Sequence, residues 1–246
     1  MRLPRGARPP AMRRPRADAG DLAVLAVPGL GLSVDGWRAA LTLLAPLDAA
    51  AVALPAFGLP ASPREPLDPA SSAVRLLEHL DALAVTRTVL AGHSASCQIV
   101  AEVARRAPER VTGLILVGPT TDPRAATWPR LARRWLATAT AEPAGQVPLL
   151  ARDYTYSGLV SFARAMDAAR HHDLEDALAG TSCPVLVLRG AHDHLSPSAW
   201  TDRLAGRPGA RSETLGVGAH MVPLTHPREL VSAMRPFLLE ALAPPE

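Results

Sequence analysis

The sequence predicts an α/β protein, a doubly wound and mostly parallel sheet with a helical segment inserted between two of its strands. Three observations carry this expectation. Short continuous apolar runs recur, most of them ended by Gly or Pro, as strands buried on both faces require. Segments with apolar residues at helical spacing separate these runs, and such strand–helix alternation builds parallel sheets. The alternation stops over residues 120–180, where only helical patterns follow one another, and then resumes.

Taken in order, "DLAVLAVPG" (21–29) is the first buried strand, ended by Pro-Gly. "VDGWRAALTLLAPL" (34–47) is a helix that stops at Pro46, and "DAAAVALPAFG" (48–58) is the next strand. Asp68 reads as an N-cap with Pro69 at the first helical position, opening "ASSAVRLLEHLDAL". "RTVLAG" (87–92) is a strand that runs into Ser94, and "SASCQIVAEVARRA" is a helix with Ile99, Val100, Val103 and Ala104 on one face, ended by Pro108. "VTGLILVGP" (111–119) is a further buried strand. Then come the helical patterns "WPRLARRWLATAT", "VPLLARDY" and "SGLVSFARAMDAARHHDLEDALAG". "CPVLVLRGAHD" (183–193) and "ARSETLGVGAH" (210–220) restore the strand pattern, with a helix at 197–205 between them and a last helix from Pro227 to Leu242.

Length and composition bound the class. At 246 residues and 48% hydrophobic, the chain can bury a substantial core, and α/β folds of this size are commonly single units. The net charge is +3, and the positive charge comes from arginine alone, for the chain contains no Lys, and no Asn either. The dense basic run Arg2, Arg5, Arg8, Arg13, Arg14 and Arg16 lacks the aromatic interleaving of a nucleic-acid binder, so no nucleic-acid partner is expected. Pro4, Pro9, Pro10 and Pro15 interrupt that stretch and no apolar core follows it. Residues 1–20 therefore read as an Arg/Pro-rich tail and not as a secretory signal. "LAVLAV" is too short to span a bilayer, so no membrane partner is expected. Cys97 and Cys183 read as two buried free thiols, which fits a reducing cytoplasm.

In a doubly wound sheet, ligands bind beyond the carboxyl ends of the strands. The residues there are Gly29–Leu30, Ser94, Thr120–Asp122, Asp193 and His220. The helical segment 120–180 leaves from the same edge and would lie over the site. Ser94 sits in "GHSAS", between a strand and a helix, in a near match to the nucleophile elbow G-x-S-x-G with Ser96 in place of the second glycine. A serine hydroxyl needs a base to become a nucleophile. His220, after the last strand, is the best placed; His226, just before Pro227, is the competitor. The base in turn needs a carboxylate to fix its tautomer. Asp193 fits, with Asp122 as the alternative. The amide of Ala95, at the start of the elbow helix, and that of Leu30, in the "PGLGLS" turn, are the candidate oxyanion donors. The clusters His171-His172-Asp173 and His192-Asp193-His194 lack ligand spacing, so no metal is expected, and "GLGLSVDG" has no G-x-G-x-x-G frame, so no dinucleotide cofactor is expected either.

These residues carry a resemblance. "PGLGLSVDGW", "LAGHSAS", "APERVTGLILVGP", "CPVLVLRGAHD" and "GAHMVPLTHP", over about residues 21–242, resemble the α/β-hydrolase superfamily, in particular its small bacterial esterase-like members with a helical cap. The chain order Ser, Asp, His is the family's order. The resemblance implies an α/β-hydrolase fold built from core residues 21–119 and 181–246. It also implies a cap (120–180) inserted after the sixth core strand, Ser94 as nucleophile, Asp193 as acid, His220 as base, and Leu30 and Ala95 as oxyanion donors. The substrate would be a small acyl compound, most directly a carboxylic ester. A C–C bond hydrolase, a lactonase, a thioesterase or a slow binding protein on the same scaffold are the alternatives. Pro28 and Ser96 depart from the family's commonest residues. Gly29, His93, Trp128, Trp135, Tyr154 and Phe162 are the candidates for contact with substrate. For the aromatic residues of the cap, packing between cap helices is the competing role.

Overall fold

The computed structural model describes residues 22–243; the predicted tail, residues 1–20, lies outside them. A six-stranded sheet runs in the order β2-β1-β5-β6-β7-β8, and all its pairings are parallel. Its strands are β1 (Val24–Val27), β2 (Ala49–Ala51), β5 (Thr88–His93), β6 (Val111–Val117), β7 (Val185–Arg189) and β8 (Ala210–Thr214). Because the strands are parallel, every carboxyl end opens on one edge, and the four central strands are buried along nearly their whole length. Among the described residues no helix is long and apolar enough to cross a membrane.

Helices cover both faces. On one lie α1 (Asp35–Leu43), the short α9 (Val222–Thr225) and α10 (Pro227–Ala241), which bury Trp37, Val222, Leu230, Met234 and Phe237 against residues of β1, β5 and β6. On the other lie α2 (Pro69–Ala82), α3 (Ser96–Arg106) and α8 (Ser198–Leu204). In α3 every residue from Ser96 to Ala104 is buried. Each fully buried aliphatic side chain there contributes roughly 1.5–3 kcal/mol, so the helix that follows Ser94 is held along its first nine residues. The Asp68 side chain accepts the Ser71 N–H at 2.8 Å, and Pro69 opens α2 behind that cap.

Three expected elements differ. The strand expected over 48–58 divides. Only Ala49–Ala51 joins the main sheet; β3 (Leu54–Pro55) and β4 (Gly58–Leu59) pair separately. Pro55 has no N–H to give a ladder, and Ala56 turns the chain at φ 67°. The strand expected over 210–220 ends at Thr214, beyond which two glycines release the chain into a loop. The long third helix of the insert breaks into α6 (Leu159–Ala169) and α7 (Leu174–Ala179), because the Asp173 side chain caps a new start through the Asp176 N–H. Together with α4 (Trp128–Ala139) and α5 (Val147–Ser157), these helices form the insert. It follows β6, the sixth strand in chain order and the fourth of the main sheet. Cys97 and Cys183 are free thiols; Cys97 is buried and Cys183 half-buried.

Candidate active site

Ser94 follows β5 directly and has φ 60°, the left-handed region that residues with a Cβ rarely occupy. Holding a non-glycine there costs on the order of 1–3 kcal/mol, and the surrounding packing must enforce it. Two contacts show how. The Ser94 N–H donates to Val117 O at 2.8 Å, which ties the turn to the end of β6. Gly92 lies so close to the start of α3 that a Cβ would sit 2.8 Å from both the N and Cα of Cys97. The helix leaves the strand with no room for a side chain between them.

Ser96, where the motif has glycine, is fully buried and braces the same turn. Its Oγ accepts the His93 N–H at 2.8 Å and lies 2.9 Å from both Val27 O and His93 O, to either of which its hydroxyl can donate. The elbow is thereby pinned to the end of β1, one residue before the Pro28-Gly29 turn. Ser96→Ala removes this brace and leaves a buried N–H without its partner. We expect a loss of about 2 kcal/mol, read as a fall in Tm of about 6 °C. An unchanged Tm would show that the hydroxyl does not hold the turn.

His220 and Asp193 meet at the carboxyl edge. The His220 Nδ1–H donates to Asp193 Oδ2 at 2.8 Å, so the other ring nitrogen is left unprotonated in the neutral form. Asp193 is completely buried. Its Oδ1 accepts the Ser196 N–H at 3.0 Å, and its backbone carbonyl accepts from Arg189 at 2.8 Å. Burial works to raise the Asp193 pKa, but His220, the Ser196 N–H and Arg189 outweigh it and hold the carboxyl below its ordinary value. For His220, burial works against the imidazolium. The charge and hydrogen bond of Asp193, joined by Glu142, outweigh that and hold the pKa above the ordinary value. Gly118, directly after β6, packs against both residues: a Cβ there would lie 3.0 Å from Asp193 Oδ2 and from His220 Nδ1.

The Ser94 hydroxyl stands at the same edge with 9% of the residue exposed, and its contact is Thr120 Oγ1 at 3.5 Å. It does not hydrogen-bond His220 in this structure; such bonds often tighten only when substrate binds. The alternatives are engaged elsewhere. Asp122 caps a short turn through the Arg124 N–H and pairs with Arg134 at 2.7 Å, without hydrogen-bond alignment. His226 bonds its neighbour Thr225.

The oxyanion candidates are amides left open among the described residues. In the turn after β1, Gly31 N–H donates to Ala56 O and Leu32 N–H to Gly29 O, which leaves that of Leu30 without an acceptor. Ala95 N–H, at the start of α3, is likewise unengaged. The turn is supported from the insert. Asp153 Oδ2 accepts the Ser33 N–H at 2.8 Å, and Ser157 Oγ donates to Gly31 O at 3.2 Å. Tyr154 and Phe162 meet edge to face at 5.4 Å and pack against Gly31, beside the site. Trp128 and Trp135, the other two aromatic candidates, are 44% and 51% exposed; Trp128 is covered by Arg170 and lines an open hollow with Leu67, Asp68 and Arg164, away from Ser94 and His220.

Gly29 packs on the ring of His93. His93 itself is buried, and its Nε2–H donates to the backbone carbonyl of His220 at 2.9 Å. Burial, followed by the nearby His220, pushes its pKa down to about 3, so it stays neutral. It lies behind His220 as a support.

Sequence reasoning missed Thr138, Glu142 and Asp153, through which the insert reaches the core loops. Thr138 Oγ1 accepts the N–H groups of His194 and Leu195 at 3.1 and 3.2 Å, beside Asp193. One signal was available: Thr138 is two turns from the buried Leu131 on the same face of α4.

The sequence matches the alpha/beta hydrolase family over residues 24–233. No curated protein matches the chain. Among solved structures, the enol-lactonase from Burkholderia xenovorans aligns at 18% identity with a TM-score of 0.74, covering 91% of this chain and 94% of that one. An esterase from Exiguobacterium antarcticum aligns at 14% identity with a TM-score of 0.73, covering 90% and 93%. A hydrolase from Oleispira antarctica aligns at 16% identity with a TM-score of 0.71, covering 89% and 92%. Identities this low speak for the fold alone. The family match runs from the start of β1 into α10, and through it the chain belongs to the alpha/beta hydrolase family and is a hydrolase.

Proposed function

We propose that the protein is a serine hydrolase of small carboxylic esters, working through an acyl-enzyme with Ser94 as nucleophile, His220 as base and Asp193 as its orienting acid. The observation that carries this reading is the buried Asp193–His220 pair at 2.8 Å, at the sheet edge where the strained Ser94 turn also stands. On this reading, His220 takes the Ser94 proton as Oγ attacks the ester carbonyl. The oxyanion forms against the Leu30 and Ala95 amides, each such donor being worth about 3 kcal/mol in the transition state. The tetrahedral species collapses, the alcohol leaves with the proton from His220, and water activated by His220 releases the acid. Lactones are cyclic esters and fall within the same chemistry.

The test is a panel of p-nitrophenyl esters of graded acyl length together with aliphatic lactones. Saturable turnover of at least one short ester is expected. His220 must be neutral to act, and its pKa is held above the ordinary histidine value. The acid limb of kcat/KM should therefore titrate as a single group above that value, with activity present at higher pH and lost as pH falls. Absence of turnover across both ester and lactone arms would sink the reading.

A further inference from the structure

Glu142 lies in the turn after α4, yet its carboxylate works on the loop that carries the base. Its Oε1 accepts the N–H of Met221, the residue after His220, at 2.8 Å across 79 positions of sequence. Its Oε2 accepts from the Nε2 of the buried Gln146 at 2.9 Å, so both oxygens are held. Four residues earlier in the chain, Thr138 grips the backbone just after Asp193. One stretch of the insert thus touches the backbone beside both members of the acid–base pair. A neutral acceptor would suffice as a simple clip. A half-buried carboxylate bonds a backbone N–H about twice as strongly, and it also places a negative charge near the imidazole.

We propose that Glu142 is a positioning residue for His220: from the insert, through the Met221 amide, it holds the loop of the base and lends its charge to the imidazolium. The proposal rests on the reading of His220 as the base. It couples catalysis to the seating of the insert, since lifting the turn after α4 would release the base loop. Among the described residues, three charged or titratable groups face His220 and a fourth stands behind Asp193. Asp193 faces it from the loop after β7, neutral His93 from the end of β5, and Glu142 from the insert; Arg189 reaches the Asp193 backbone from β7. Glu142→Gln changes one charge in this set and keeps an oxygen that can accept from Met221.

The experiment compares wild type, Glu142→Gln and Glu142→Ala on p-nitrophenyl acetate from about pH 5 to 9, with Tm measured for each and the His220 ring titrated by NMR in wild type and Glu142→Gln. For Glu142→Gln we expect kcat at the plateau within about two-fold of wild type, and an acid limb and ring titration both displaced to lower pH. For Glu142→Ala we expect kcat lower by about ten-fold or more with KM within about two-fold, because the loop and not the substrate has lost its hold. Coincident limbs and titrations in wild type and Glu142→Gln, or an unchanged kcat in Glu142→Ala, would overturn the proposal. Should wild type hydrolyse no ester at all, the serine-hydrolase reading fails by itself. The ring titration then still decides the influence of Glu142: a displaced curve supports it and an unmoved curve overturns it.

Discussion

Ser94→Ala is expected to lower kcat on an aryl acetate by about six orders of magnitude and to abolish labelling by a fluorophosphonate probe. A variant lacking the nucleophile keeps only what binding and the oxyanion donors supply. The fold should tolerate the change. The hydroxyl makes one long contact, 3.5 Å to Thr120, while the turn itself is held by backbone: Ser94 N–H to Val117 O, and the close approach of Gly92 to Cys97. Alanine must adopt the same positive φ at a similar cost, so Tm should stay within about 3 °C of wild type, a difference of about 1 kcal/mol. Labelling of the variant at the wild-type rate would show that the reactive serine is elsewhere. A lost label together with a collapsed Tm would show instead that Ser94 is a structural turn residue.

Gly190→Ala should have the largest effect on the fold. Gly190 follows β7 and lies where the loop carrying Asp193 crosses the loop carrying His220. A Cβ there would lie 2.1 Å from Ala219 O and 2.7 Å from Gly218 O. Both obstacles are backbone, so no rotamer change relieves them. Moving them would break the ladder between the loops, Ala191 N–H to Val217 O at 3.1 Å and His192 N–H to Gly218 O at 2.9 Å. Overpacking of this kind costs about 3 kcal/mol or more, a fall in Tm of about 9 °C for a chain of this length. Activity should fall further than stability accounts for, because the two loops part where Asp193 meets His220. Gly36→Ala is the control: a Cβ at Gly36, within α1, meets nothing within 4 Å, and alanine there should be neutral or slightly stabilising. Equal melting of Gly190→Ala and wild type would mean that the loops are not packed this tightly.

Both predictions concern features of very different visibility in the sequence. The elbow is local. A buried run, the small residues Gly92 and Ser96 two positions to either side of Ser94, and a helix with a continuous apolar face all fall within 20 residues, and each follows from steric rules acting on near neighbours. The same is true of the Asp68 cap. The division of the strand expected over 48–58 is local as well: Pro55 supplies no N–H for a ladder, and Ala56 turns the chain.

The sequence by itself determined which residues reach the carboxyl edge of the sheet, because hydrophobic period and Gly/Pro punctuation act between neighbours. It placed Ser94, Asp193 and His220 at strand ends but left Asp122 open as the partner of the histidine. Only the tertiary structure decided that Asp193 bonds His220 while Asp122 turns to Arg134. It also decided that Tyr154 and Phe162 pack against the turn after β1 while Trp128 and Trp135 stay partly exposed, and that Glu142 reaches Met221. The physical reason is common to these cases. Periodicity tells which face of a helix is inward, but what stands opposite that face is set by how separate elements pack, at distances along the chain that no local pattern spans.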